Sequence, residues 1–239
     1  MKIYGLIGKQ LTHSFSKSYF KKKFEKEKIT DAKYINFEIS DIDNLDYIVK
    51  KYKPSGLNVT IPFKEAVIPK LDYLSQEAEQ IGAVNTINFL NNKLIGHNTD
   101  VIGFKKSITP FLKKNDSALV LGNGGSAKAV KFVLRQLNIN YQTVNRKSKF
   151  EYKDLKEKDI LKNRIIINTT PLGLYPKIHQ HPIIPYNAIN SNHLLYDLIY
   201  NPHETVFLKK GKNKNAQIKN GCEMLEIQAE KSWDIWLKK

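Results

Sequence analysis

The sequence predicts an α/β fold in two domains, and three observations predict it. Short runs with apolar alternation take turns with helical patterns from the N-terminus onward. The alternation gives way to a helical stretch and starts again at Ser117, and the restarted strand runs directly into a glycine-rich turn that opens another helix.

In the first domain, residues 2–8 read as a strand and residues 34–39 as a second. Between them, 13–28 is a basic amphipathic helix with Phe15, Tyr19, Phe20 and Phe24 at helical spacing. Residues 41–52 form the next helix. Leu57, Val59 and Ile61 alternate with Asn58 and Thr60, so 57–61 is a strand with one apolar face, ended by Pro62, which removes a ladder donor. Lys64 therefore falls just past a strand's C-terminal edge. A helix at 75–81 and strands at 84–90 and 93–97, around Asn91-Asn92, complete the domain. Asn98-Thr99-Asp100 leads into a helix through Leu112, with Asp100 where an N-cap would stand.

In the second domain, Leu119-Val120-Leu121-Gly122-Asn123-Gly124-Gly125-Ser126-Ala127 carries strand 117–121 through a turn into helix 126–137. Backbone amides and the positive helix end then face a pyrophosphate, which is dinucleotide binding. Gly122 and Gly124 permit the tight turn and close approach, and Ala127 supplies a small residue where the usual pattern has a third glycine. Strand 141–144 ends in Asn145-Arg146-Lys147-Ser148-Lys149, and no acid follows until Glu151. An NAD enzyme would offer an acid there to the ribose. Arg146 can instead stack on adenine and clamp a 2′-phosphate, with Asn145, Lys147 and Ser148 as further donors, so the cofactor is NADP. Strands 164–168 and 193–199 lead into Thr169-Thr170-Pro171 and Tyr200-Asn201-Pro202, and an amphipathic helix with Gln228 on it closes the chain at 221–237.

Lys64 and Asp100 together form the chemically informative pair, because an amine and a carboxylate at the ends of two structured segments can hold and move a proton. Composition bounds the rest. With 41% hydrophobic residues, two Trp and eleven Phe, the chain can fill real cores. One Cys excludes an internal disulfide or a cysteine zinc site, and Cys222 reads as helix packing. His179-Gln180-His181 has no carboxylate or Cys at ligand spacing, so no metal is expected, and His13 is expected to order the loop before Ser14. The net charge of +16 rests on 36 Lys and only three Arg spread along the chain, a compositional bias rather than a nucleic-acid surface. With no apolar run of membrane length and no signal-peptide core at the N-terminus, a cytoplasmic protein without a membrane or nucleic-acid partner is expected, as a monomer or homodimer.

Further words stand in order around the pair: residues 8–16 with His13-Ser14-Phe15-Ser16, then Gly56-Leu57-Asn58-Val59-Thr60-Ile61-Pro62-Phe63-Lys64, Gly82-Ala83-Val84-Asn85-Thr86, and Asn220-Gly221-Cys222-Glu223-Met224-Leu225 with Gln228. In this order they resemble the signature segments of shikimate dehydrogenase, nearly end to end. The resemblance implies NADPH-dependent reduction of 3-dehydroshikimate to shikimate in chorismate and aromatic amino acid biosynthesis. It implies a substrate-binding α/β domain over 1–100, a Rossmann-like NADP domain over 101–218, and a C-terminal helix, 219–239, that packs on the first domain. Lys64 and Asp100 would be catalytic, with Lys64 the proton donor in reduction. Ser14 and Ser16 would hold the substrate carboxylate, with Thr60, Asn85, Tyr200 and Gln228 binding the remainder. Gly122, Asn123, Gly124, Gly125, Ser126, Ala127, Asn145, Arg146, Lys147, Thr169, Leu198 and Gly221 would surround the cofactor. The chain departs from the family where Gln10 and Lys17 replace Pro and where Val101 replaces Gly, and it is short around 149–165. Two alternatives stay open: an NAD-dependent quinate/shikimate dehydrogenase, and a non-catalytic nucleotide- or nucleic-acid-binding protein, which would not need Lys64 and Asp100 together.

Overall fold

A computed structural model describes residues 1–12, 14–146 and 150–238, in two compact units, Met1–Ile102 with Glu226–Lys239, and Gly103–Leu225. The expectations for His13, Lys147, Ser148 and Lys149 lie outside the described residues. Along the first half run β1 (Lys2–Gly8), α1 (Phe15–Lys26), β2 (Ala32–Glu38), α2 (Asn44–Tyr52), β3 (Gly56–Val59), α3 (Phe63–Ala66), β4 (Tyr73–Leu74), α4 (Gln76–Ile81), β5 (Thr86–Leu90) and β6 (Lys93–His97). Then follow α5 (Asp100–Ile108), β7 (Ser117–Leu121), α6 (Gly125–Gln136), β8 (Asn140–Val144), α7 (Glu157–Lys162), β9 (Ile165–Asn168), β10 (Leu194–Asp197), α8 (Val206–Lys212), β11 (Gln217–Lys219) and α9 (Cys222–Leu237).

The first unit is built on a six-stranded sheet in the order β2-β1-β3-β5-β6-β4. β1 pairs parallel with β2 and β3, while β5 runs antiparallel to both β3 and β6. Alternation along the strands feeds two cores. Ile7, Leu57, Val59 and Ile87 meet Leu45, Ile48 and Phe63 on one face. On the other, Tyr4 and Leu6 meet Phe20 and Phe24 of α1 and Ala229, Trp233 and Trp236 of α9. Gly56 is required there, since a Cβ would lie 2.4 Å from the Trp236 indole.

β3 corrects the sequence reading twice. It has no solvent face, because α9 covers the side that carries Asn58, and Asn58 is only 3% exposed. It also stops at Val59, because the Thr60 carbonyl accepts from the Phe63 amide and turns the chain, leaving Ile61 exposed. Lys64 thus sits on the short helix α3. Helix α1 starts at Phe15 rather than residue 13, since the Ser14 side chain accepts from the Lys17 amide as its N-cap.

The second unit is an all-parallel sheet in the order β11-β10-β9-β7-β8. The chain moves from β7 out to β8 and back across β7 to β9, so the strand order reverses between β7 and β9. That is the switch point beside which open α/β sheets bind ligands. Leu119, Leu121, Ile166 and Leu195 pack with Ile160, Phe207 and Leu208 on one face.

At the end of β10, Asp197 is wholly buried, accepting from Thr205 Oγ1 at 2.6 Å, Asn168 Nδ2 at 3.1 Å and the Ile199 amide at 3.1 Å. Burial outweighs these donors and pushes its carboxyl up to about 7. A raised carboxyl holds its proton in the folded state and releases it in the unfolded chain, so stability is full below the ordinary Asp range and declines as pH rises towards 7. Urea unfolding between pH 4.5 and 7 should show this decline, approaching about 1.4 kcal/mol per pH unit at its steepest. Asp197→Asn should flatten it. An equal slope in the variant would assign the decline to another group.

Candidate active site

The site in the first unit is built from α3, the loop before β5, the start of α5 and α9. α3 carries Lys64, whose backbone carbonyl accepts from the Val84 amide at 2.8 Å and so ties the helix to the loop before β5. The next residue of that loop, Asn85, is held in turn, its amide donating to His97 O at 3.0 Å and its carbonyl accepting from the Val59 amide at 2.8 Å. α5 begins with Asp100. Its carboxylate does not cap the helix; Asn98 Oδ1 accepts from the Asp100 amide at 3.1 Å instead, and Asn98 Nδ2 donates to Ala83 O.

The Asp100 carboxylate is therefore available for two partners. Oδ2 accepts from Lys64 Nζ at 2.5 Å, and Oδ1 accepts from Asn85 Nδ2 at 2.9 Å. The side chains of Lys64 and Asp100 are 12% and 6% exposed, so the ion pair is screened by little water. Asn85 Nδ2 also lies 3.1 Å from Gln228 Oε1 on α9, and the Thr99 amide donates to Asn85 Oδ1 at 2.7 Å. Chemically, this is an amine held against a carboxylate whose other oxygen is held by an amide. It is an arrangement able to give up and retake a proton.

Of the other expected substrate residues, Ser14 is half-buried at the start of α1 and Ser16 is buried within hydrogen-bond reach of Tyr34. Tyr34 in turn donates to Asn58 Oδ1 at 2.8 Å. Thr60 stands half-buried after β3. The structure brings Lys64, Asp100, Asn85 and Gln228 into one hydrogen-bonded group. Thr99 and Ser232 belong to that group and were not singled out by the sequence analysis. Ser232 stands four residues after Gln228, one helical turn along α9, and that spacing was the available signal.

In the second unit, Gly122 turns with φ +113°, and a Cβ there would lie 2.5 Å from Thr169 Oγ1, so the β7 and β9 ends approach closely at the switch point. Gly124, the N-cap of α6, faces open space, with nothing within 4 Å of where its Cβ would be. The first turn of α6 contains Gly125, Ser126 and Ala127 and no acid. Its amides have no intrahelical acceptors. A pyrophosphate fits this open, amide-lined turn. Asn123 Oδ1 accepts from Lys131 Nζ at 2.5 Å, flanking it. Asn145 is half-buried and Arg146 exposed at the end of β8, and the Arg146 charge reaches Tyr152. Leu198 and Tyr200 follow β10, and a Cβ on Gly221 would fall 2.1 Å from Leu198 O. Among the described residues no group of three or more His, Cys, Asp or Glu could hold a metal ion.

The chain is similar to known proteins over nearly its whole length. The family model of the shikimate dehydrogenase substrate binding domain matches residues 6–87. The NADP(+) shikimate dehydrogenase of Clostridium beijerinckii is 42% identical, over 99% of this chain and 92% of its own length. The crystal structure of shikimate dehydrogenase from Aquifex aeolicus superposes with a TM-score of 0.89 at 35% identity, covering 100% of this chain and 93% of that one. The Thermus thermophilus shikimate 5-dehydrogenase in complex with NADP(H) and shikimate gives 0.87 at 27% identity, covering 100% and 94%.

Proposed function

The chain belongs to the shikimate dehydrogenase family, and from that premise we propose that it catalyses the reversible, NADPH-dependent reduction of 3-dehydroshikimate to shikimate, on the route to chorismate and the aromatic amino acids. It is an NADP-dependent oxidoreductase. The observation that carries the chemistry is the buried Lys64–Asp100 pair, with Asn85 on the second carboxylate oxygen.

NADPH, when bound, supplies a hydride from nicotinamide C4. The residues that would hold it are the Gly122–Ala127 turn, Asn145 and Arg146 at the end of β8, and Thr169, Leu198 and Gly221 near the ends of β9 and β10. Lys147 joins them by sequence position. The first unit does the acid–base work. Lys64 Nζ gives a proton to the carbonyl oxygen as it becomes a hydroxyl, and takes it back in the oxidation direction. Asp100 holds the ammonium in place, and Asn85 fixes the carboxylate. Ser14 and Ser16 donate to the substrate carboxylate, and Thr60, Asn85, Tyr200 and Gln228 bind its hydroxyl-bearing side. We place the enzyme in the cytoplasm, as a monomer or homodimer acting on small molecules without a nucleic-acid or membrane partner. No helix of the described residues is long and apolar enough to cross a membrane.

The deciding experiment follows NADPH formation from shikimate and NADP, with quinate and NAD in parallel. Turnover of quinate as well as shikimate, with NAD rather than NADP, would favour the sister enzyme, and none with any combination would leave a binding protein. A further outcome is expected at the carboxylate end. Ser14→Ala and Ser16→Ala should each raise the shikimate KM about tenfold with kcat little changed, since a hydroxyl on a carboxylate binds ground and transition states alike. Unchanged KM in both variants would move the carboxylate elsewhere.

A further inference from the structure

Ser232 is fully buried on α9 and sits beneath the dyad as a node of four contacts. Its Oγ lies 2.8 Å from Thr86 Oγ1, 3.2 Å from Thr99 Oγ1 and 3.0 Å from Asn58 Nδ2, and donates to Gln228 O at 2.9 Å. Every one of these partners touches Asn85. Asn58 Nδ2 donates to Asn85 O, Thr86 Oγ1 donates to Asn85 Oδ1, and Thr99 bonds Asn85 through both its amide and its hydroxyl. Gln228 Oε1 accepts from Asn85 Nδ2, the same nitrogen that holds Asp100.

We propose that Ser232 is a positioning residue for the reaction. It locks α9 to the strands beneath Asn85, and so fixes both Gln228 and the orientation of the Asp100 carboxylate that holds Lys64. Ser232 does not reach Asp100 or Lys64 itself; it acts through Thr99, Gln228 and Asn85. The inference rests on the function proposed above. Its structural and catalytic effects are separable, because each partner keeps another hydrogen bond when the hydroxyl is removed. Asn58 retains Tyr34 and Asn85, Thr86 retains Asn85, and Thr99 retains Asn85 and Gln228. The fold therefore survives the loss while the register of the group loosens.

The test is a double-mutant cycle with Gln228, read as kcat/KM for shikimate and KM for NADP on folded protein. Ser232→Ala should lower kcat/KM for shikimate about fivefold, the part of the lost bonding that is passed on to Gln228 and Asn85, and leave the NADP KM unchanged. In the Gln228→Ala background the same substitution should cost less than about twofold, because both residues act through one group. Multiplicative losses, or wild-type kcat/KM in Ser232→Ala, would overturn the proposal. Should Ser232→Ala fail to fold, Ser232→Cys, which fills the space with a weaker hydrogen bonder, goes through the same cycle. A wild-type protein inactive on shikimate would overturn the functional reading itself, before any variant is measured.

Discussion

Lys64→Ala lowers kcat for shikimate oxidation by about 10²- to 10⁴-fold, the range a positioned acid–base group contributes. Among the described residues the amine is the one cationic group bonded to Asp100, and it is almost out of solvent, so a water entering the vacated space cannot reproduce both its charge and its fixed position. NADP affinity should stay near wild type, because the residues assigned to the cofactor lie in the other unit. Thermal stability will not stay unchanged. The substitution leaves the Asp100 carboxylate buried with Asn85 still bonded to it but its counter-charge gone, and an uncompensated buried charge destabilises by roughly 3–5 kcal/mol. This separates the two roles of the lysine. Adding Asp100→Asn to Lys64→Ala removes the stranded charge and should restore much of the melting temperature while turnover stays lost. Near wild-type turnover in Lys64→Ala, measured where circular dichroism shows folded protein, would remove Lys64 from the chemistry.

The elements that bear this site were legible in the sequence for physical reasons, and the misreadings have physical reasons too. Alternation located β1, β3, β5 and β6, and the strand–glycine–helix word located β7 and α6, because those patterns record burial directly. The polarity of Asn58 in an alternating strand reads as a mark of solvent. It instead bonds Tyr34, Thr86 and Ser232 under a covering helix, and a one-dimensional pattern does not show which polar residues will be paired inside. α7 and α8 are only six and seven residues long, with Lys interrupting their short apolar stretches, and β4 and β11 are two and three residues long, too short to show a period. At the site, Lys64 and Asp100 are ordinary residue types for element ends, and they stand out through the ordered words around them. Thr99 and Ser232 are small hydroxyls of no such distinction, and only their convergence from α9 and the start of α5 gives them a role.

Arg146→Ala should weaken NADP binding about 10- to 150-fold while leaving NAD nearly unaffected, the loss expected of a partly exposed, charge-assisted bidentate contact. The residue stands two positions beyond β8, the strand next to β7 in the parallel sheet, where a dinucleotide lying over the Gly122–Ala127 turn presents its adenosine ribose. No carboxylate is offered at that strand end before Glu151, so an unmodified ribose 2′-hydroxyl has no acid to bond, whereas a 2′-phosphate has a guanidinium. Arg146 is exposed and carries no core packing, so its removal costs the fold little, and a change in affinity reports on the ligand. Its charge also bears on Tyr152, whose hydroxyl is buried, finds no hydrogen-bond partner among the described residues and is pushed up to about 12 chiefly by that burial, with Arg146 acting against the rise. Titrating both dinucleotides into wild type and variant decides between the roles available to the side chain. A loss confined to NADP assigns Arg146 to the 2′-phosphate. Equal losses for NAD and NADP would assign it to the adenine ring or the local fold, and cofactor choice would then have to come from Asn145 and from the lysines that follow Arg146 in sequence.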